Sequence, residues 1–164
     1  MPMIRDLLQD DLVIEEIDAT DKVGVIRTFS GLLKTTGRIE NETELTSILL
    51  ERESLGSTGI GDGVAIPHAK LPYLSEIIVA FGRSSKGIDF DALDTKPVYL
   101  FFLLITPDDN PGEHLKTLAR LSRILKNSSL RHNLRQAAHR KDICKLIVDE
   151  DIKYTQPCPD GRHP

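Results

Sequence analysis

The stretch that most constrains the fold is an apolar segment at residues 98–105, with the sequence Val-Tyr-Leu-Phe-Phe-Leu-Leu-Ile. A strand with one face in water alternates apolar and polar residues, whereas this segment is apolar on both faces. The pattern therefore predicts a central strand covered by helices on both sides. The segment is far too short to span a bilayer, so no membrane insertion is expected.

Helical and strand patterns lie on both sides of this segment. Apolar residues recur at helical spacing from Val23 to Leu33, behind a cap predicted at Asp18 or Thr20, and Asn41 is predicted to open a second helix. Short strands are predicted at residues 12–17, 63–66 and 77–81, and helices at residues 114–126, 130–138 and 142–148. Strands interleaved with helices predict an α/β fold, a sandwich of three layers.

Composition narrows the class of protein. The chain has 164 residues, which suits one domain, placed at residues 1–154 and followed by a tail at residues 155–164 that is rich in proline and predicted to be disordered. A net charge of −4 disfavours a general nucleic-acid binder, which needs clustered Lys and Arg. No secretory signal is visible, and two cysteines suit a reducing cytoplasm, where we expect the protein to lie.

The segment that carries the chemistry runs from residue 52 to residue 68. Glycines allow backbone N–H groups to approach an anion closely, because they have no Cβ atom. The residues predicted to cradle a phosphate in this way are Ser57, Thr58, Gly59 and Gly61. The pattern lacks the Gly-Lys-Ser/Thr ending of a Walker loop and the following helix of a dinucleotide site.

A histidine and an arginine flank these glycines. His68 follows Pro67 at the end of a short predicted strand, and Arg52 lies upstream near the end of a helix. A neutral imidazole is a nucleophile near pH 7, and a guanidinium donates a forked pair of hydrogen bonds to a phosphoryl group. From these residues alone the alternatives stay open: a tight turn before a strand, a structural histidine and a solvated arginine.

The thirteen residues 56–68, Gly-Ser-Thr-Gly-Ile-Gly-Asp-Gly-Val-Ala-Ile-Pro-His, resemble the signature of the type-2 enzyme IIA domains of the bacterial phosphotransferase system. This family includes the fructose, mannitol and nitrogen-regulatory types, and the similarity extends over about residues 3–151. It implies a mixed β-sheet with helices on both faces and makes His68 the phosphate acceptor. Arg52 and His114 match the family's other two catalytic positions, and Ala69 departs from a glycine found in many members.

The resemblance also implies a function and partners. A histidine-phosphorylated carrier protein (HPr or its nitrogen-branch relative) would phosphorylate His68, which makes the chain a phosphotransferase with a transient phosphohistidine and no cofactor or metal. The absence of fused domains favours the stand-alone nitrogen-regulatory type, most like the nitrogen-regulatory enzyme IIA.

Three alternatives stay open beside this interpretation. The chain could be a sugar-specific enzyme IIA that passes phosphate to a cysteine of enzyme IIB. It could be a pure regulatory binding module. It could also be an unrelated hydrolase that uses His68 and His114 as acid and base, although no nucleophile elbow or metal cluster is visible.

Overall fold

The apolar segment forms the central strand of the sheet. The structure, a computed structural model, describes residues 3–154. This strand, β6 (Val98–Pro107), is buried along its length except for partial exposure at Tyr99 and Pro107. The predicted central strand is therefore confirmed.

Six strands form one mixed sheet. The other five are β1 (Val13–Ile14), β2 (Gly59–Gly61), β3 (Val64–Ala65), β4 (His68–Leu71) and β5 (Ile78–Ile88). Their order is β1-β5-β6-β3-β2, and β4 also pairs with β6. Two neighbouring pairs are antiparallel: β5 with β6, and β2 with β3. The other pairs are parallel: β3 and β4 with β6, and β1 with β5.

Strands β3 and β4 lie one after the other along the same edge of β6. Ala65 pairs with Phe101, and His68 pairs with Leu104. Residues 66 and 67, between β3 and β4, interrupt the pairing with β6 but do not shift its register. From Ala65 to His68 and from Phe101 to Leu104 the chain advances by the same number of residues. His68 directly follows this interruption, as the first residue of β4.

Helices cover both faces of the sheet. They are α1 (Ile4–Leu7), α2 (Lys22–Thr35), α3 (Glu42–Ser54), α4 (Pro111–Ile124), α5 (Ser128–Gln136) and α6 (Arg140–Lys153). Helices α2 and α3 pack on one face through Ile26, Phe29, Leu33, Leu45 and Leu49. The other helices pack on the opposite face through Ile4, Leu121, Ile124, Leu134, Ile143 and Ile147. The predicted α/β sandwich of three layers is confirmed.

Three local predictions were wrong. Helix α2 is capped by Asp21, whose carboxylate accepts a hydrogen bond from the Gly24 amide at 2.8 Å, and not by Asp18 or Thr20. The strand predicted at residues 12–17 shortens to β1, because residues 10–12 form a 3₁₀ turn. The segment Gly59–Gly61, predicted as loop, pairs with β3 as a strand.

Helix α4 begins three residues earlier than predicted. Asn110 caps it by accepting a hydrogen bond from the Glu113 amide at 3.2 Å, and Pro111 occupies the first helical position, where its fixed φ suits the helix. His114 consequently lies within the first turn. No helix of residues 3–154 is long and apolar enough to cross a bilayer. The tail predicted at residues 155–164 lies outside the described residues.

Candidate active site

A cleft of about 370 Å³ opens where α3, β4 and α4 meet. Its lining residues are Ile48, Arg52, His68, Ala69, Lys70 and His114. The structure thus brings together the three side chains that the sequence predicts to be catalytic. It adds a lysine that the sequence analysis did not single out.

The interruption between β3 and β4 fixes the imidazole of His68. Its Nδ1 lies 2.7 Å from the carbonyl oxygen of Ile66. A carbonyl oxygen only accepts hydrogen bonds, so Nδ1 of the neutral ring carries the proton and donates it. The other nitrogen, Nε2, is left with a lone pair, as a nucleophile requires.

The surroundings of His68 favour the neutral form of its imidazole. Burial lowers the pKa of its imidazole below the ordinary value of 6.5, and the positive charges of Arg52 and Lys70 lower it further. The hydrogen bond to Ile66 and, less strongly, the negative charge of Glu53 oppose this shift. A lower pKa increases the neutral, nucleophilic fraction near pH 7.

His114 faces His68 from the first turn of α4. The two ring centroids lie 5.4 Å apart, with the planes tilted by 54°. His114 is only 6% exposed, and its Nδ1 lies 2.5 Å from the hydroxyl of the fully buried Thr106. When that hydroxyl donates to Nδ1, the proton of the neutral ring lies on Nε2 and can be given to an anion.

Arg52 reaches the cleft from the last turn of α3. One of its guanidinium nitrogens, Nη1, donates a hydrogen bond to the carbonyl oxygen of Gly56 at 3.0 Å. This contact folds the side chain back toward the segment that follows the helix. A guanidinium has five N–H donors, so this bond leaves others for an anion in the cleft.

Lys70 could have been found from strand alternation. Side chains two residues apart on a strand point to the same side. Ala69 and Leu71 pack into the core beneath α2 and α3, so His68 and Lys70 face away from that core together. Lys70 was not predicted because the strand predicted from the sequence, residues 63–66, ends before the histidine, whereas residues 68–71 form a strand of their own.

The four residues predicted to cradle a phosphate have internal partners. The Ser57 hydroxyl donates to the carbonyl of Phe90 at 3.0 Å and accepts from the Gly59 amide at 3.1 Å. The amide and hydroxyl of Thr58 both donate to the Glu53 carboxylate.

The two glycines belong to β2, and neither they nor Ser57 and Thr58 line the cleft. A Cβ added at Gly59 would lie 2.8 Å from the Cα of Ala92, so glycine is needed there for close packing. The contact of all four residues with a phosphate stays a prediction.

Comparison with known proteins decides the family. Residues 6–150 match the family described as "Phosphoenolpyruvate-dependent sugar phosphotransferase system, EIIA 2". The chain belongs to this family. The resemblance seen in the sequence is therefore confirmed, and type-2 enzyme IIA proteins are phosphotransferases.

Relatives of this type-2 enzyme IIA carry two kinds of name. This chain is 38% identical to the fructose-specific EIIA component of Haloferax volcanii over 136 aligned residues. The alignment covers 83% of this chain and 88% of the relative. This chain is 35% identical over 146 residues to a nitrogen regulatory protein of Bradyrhizobium diazoefficiens, covering 88% and 94% of the two chains. The crystal structure of the nitrogen regulatory protein IIA-Ntr of Neisseria meningitidis superposes with a TM-score of 0.83 at 30% identity, covering 88% of this chain and 98% of that one.

The buried His114 predicts that this enzyme IIA loses stability in acid. Burial first, and the nearby His68, Lys70 and Arg52 second, lower the pKa of His114 from 6.5 to about 4. Between these values the unfolded chain binds more protons than the folded one, so the free energy of unfolding falls as the pH falls. The contribution of His114 to stability should be fully present above pH 6.5 and should fall by roughly 3 kcal/mol on approaching pH 4.

Urea denaturation between pH 7 and pH 4.5 measures this effect. The variant His114→Gln has no titrating ring at this position and should lose less stability over the same range than the parent. The exposed His132 on α5 serves as the matched control, and His132→Gln should follow the parent. Equal losses in the parent and in His114→Gln would show that other groups cause the acid sensitivity.

Proposed function

We propose that Nε2 of His68 accepts a phosphoryl group from a histidine-phosphorylated carrier protein of the HPr type. The chain would then work in the cytoplasm as a phosphocarrier of a regulatory, nitrogen-type branch. The observation that supports this most is the lone-pair nitrogen of His68, fixed by Ile66 in a cleft shared with Arg52, Lys70 and His114.

The transfer needs no cofactor. The lone pair of His68 Nε2 forms the new N–P bond, while the N–P bond of the carrier histidine breaks and its electron pair returns to the carrier ring. The carrier ring leaves as neutral imidazole when its other nitrogen holds a proton, and the positive charge passes to the His68 ring, which keeps its Nδ1 proton on the Ile66 carbonyl. Arg52 and Lys70 offset the negative charge of the phosphoryl oxygens, and the Nε2–H tautomer of His114 donates to one of them. Because no bond is made elsewhere in the site, the same group can leave by the reverse path.

A protein donor suits the surface around the cleft. Two large apolar side chains close in sequence to cleft residues are exposed, Leu55 at 81% and Leu115 at 68%. Leu55 lies three residues beyond Arg52, and Leu115 directly follows His114. Exposed apolar groups beside a charged site are typical of a surface that docks another protein.

Phosphorylation at this position would change what the surface binds. A phosphohistidine adds close to two negative charges at the cleft, as phosphorylation of other side chains does. A partner that docks on the unmodified surface would then be repelled, and one with a basic patch would be attracted. This supports a switch, in which the modified and unmodified forms have different partners.

Transfer to an enzyme IIB cysteine is the second candidate function. The similarity to the fructose-specific component of Haloferax volcanii favours it, while the similarity to the nitrogen regulatory proteins of Bradyrhizobium and Neisseria favours the regulatory branch. Both functions use the same phosphohistidine and differ only in the next step.

One experiment with two stages tests the proposal. The chain is incubated with phosphoenolpyruvate, the upstream enzyme and the carrier of its host, and we expect one equivalent of acid-labile phosphate. The phosphorylated chain is then mixed with a fructose-class enzyme IIB, and we expect slow onward transfer. Rapid transfer would establish the sugar-specific alternative, and failure of the first stage would overturn both functions.

A further inference from the structure

Glu53 carries a buried carboxylate that the proposed transfer does not use directly. It directly follows Arg52 on α3, and its side chain is only 3% exposed. Its carboxylate accepts hydrogen bonds from the Thr58 amide at 3.2 Å and from the Thr58 hydroxyl. The Nζ of Lys22 lies 3.1 Å from the same carboxylate.

The bonds to Thr58 span the turn that holds the hydrogen-bond acceptor of Arg52. They close the chain between the end of α3 and the start of β2 into a tight turn. Gly56 lies within that turn, and its carbonyl accepts the hydrogen bond from Arg52 Nη1 at 3.0 Å. Because the turn is tied to Glu53, the acceptor that orients the Arg52 guanidinium is held in place.

The same residue also connects to His68. The carbonyl of Thr58 accepts a hydrogen bond from the Ile66 amide at 3.0 Å. The carbonyl of Ile66 in turn accepts the Nδ1 proton of His68 at 2.7 Å. Both polar groups of the Ile66 backbone are therefore used, one to fix its position and the other to fix the histidine ring.

We propose that Glu53 is a positioning residue for phosphoryl transfer, acting through Thr58 on the Arg52 guanidinium and on the Nδ1–H tautomer of His68. The inference rests on the function proposed above, since it concerns the geometry of the same site. Glu53 makes no hydrogen bond to His68, although its negative charge raises the pKa of that histidine; Thr58→Val keeps this charge and so separates it from the positioning. The effect of Glu53 is on which nitrogen of His68 carries the lone pair and on where Arg52 lies.

The ion pair with Lys22 is a separate contribution of Glu53. Lys22 begins α2, lies 3.4 Å from Asp91 and lies 5.0 Å from the centroid of the Phe90 ring. This pair ties α2, α3 and the loop before β6 together. Removing it should lower the melting temperature whether or not Glu53 positions the site, so stability alone does not test the proposal.

The test compares Glu53→Gln, Thr58→Val and Thr58→Ser with Lys22→Met. Glu53→Gln and Thr58→Val should slow phosphate uptake roughly tenfold to a hundredfold, the range expected when reacting groups are displaced by about an ångström or less. Thr58→Ser keeps the hydroxyl and should restore the parental rate. Lys22→Met loses the ion pair but keeps the bonds to Thr58, so it should melt at a lower temperature and transfer at the parental rate.

A ¹⁵N NMR spectrum of the imidazole groups gives a readout that does not depend on activity. In the unphosphorylated parent we expect one His68 tautomer with the proton on Nδ1, and in Glu53→Gln and Thr58→Val a mixture of both tautomers. Parental rates and an unchanged His68 spectrum in these two variants would overturn the proposal, as would equal slowing in Lys22→Met. A parent protein that takes up no phosphate would refute the proposed function instead, and the NMR comparison would still test the positioning.

Discussion

Replacing His68 with alanine is expected to abolish phosphate uptake from the carrier. Nδ1 of His68 is bonded to Ile66, which leaves the lone pair on Nε2, and His68 lines the shared cleft. The other histidine of the cleft, His114, has Nδ1 in contact with the Thr106 hydroxyl, and a proton on its Nε2 leaves it no free lone pair. Mass spectrometry under non-acidic conditions should find one phosphate in the parent, and ³¹P NMR should place it on Nε2.

Two histidine variants control for this result. His114→Ala should still take up one phosphate, at an altered rate, because His68 remains. His132→Ala, changed on the exposed face of α5, should match the parent. A folded His68→Ala protein that retains one equivalent of acid-labile phosphate would show that the acceptor lies elsewhere.

Replacing Arg52 with alanine is expected to slow transfer roughly a hundredfold, which corresponds to about 2.7 kcal/mol of transition-state stabilisation. The guanidinium offsets charge on the phosphoryl oxygens, and alanine supplies neither charge nor donors. Stopped-flow mixing with the phosphorylated carrier measures the rate, and circular dichroism verifies that the variant is folded.

The chemistry of the side chain can be separated from its charge. Arg52→Lys keeps a positive charge but loses the planar fork, so we expect a rate between those of the parent and Arg52→Ala. Arg27→Ala, on the exposed face of α2 and away from the cleft lining, should transfer at the parental rate. If Arg52→Ala transferred at the parental rate, the role of Arg52 would be confined to its structural hydrogen bond with Gly56.

The layers of the fold could be predicted because the apolar pattern that indicates each helix or strand lies within a single segment of the sequence. The segment that forms β6 is apolar on both faces, so both faces must pack against helices. The helical spacing of the apolar residues in α2 is visible within that one helix. Caps were less predictable, because Asp18, Thr20 and Asp21 are all chemically able to cap α2. Only the backbone path shows that Asp21 reaches the Gly24 amide.

The candidate site was only partly predictable, for a different reason. His68 and Arg52 belong to one contiguous motif, and His114 was added by resemblance to a family; the structure places all three at one cleft. Lys70 was missed because the strand boundary was placed too early. The inward direction of Glu53 was missed because a glutamate within a helix is ordinarily solvated, and its partners Thr58 and Lys22 come from other parts of the chain.

The position of His68 depends more on the number of residues between β3 and β4 than on which side chains those residues carry. Ile66 contributes its backbone amide and carbonyl, so another apolar residue there would preserve both bonds. One residue added or deleted between β3 and β4 would instead exchange the two sides of β4. The histidine would then enter the space that Ala69 fills beneath α2 and α3, and the cleft would lose its nucleophile while the sheet remained paired.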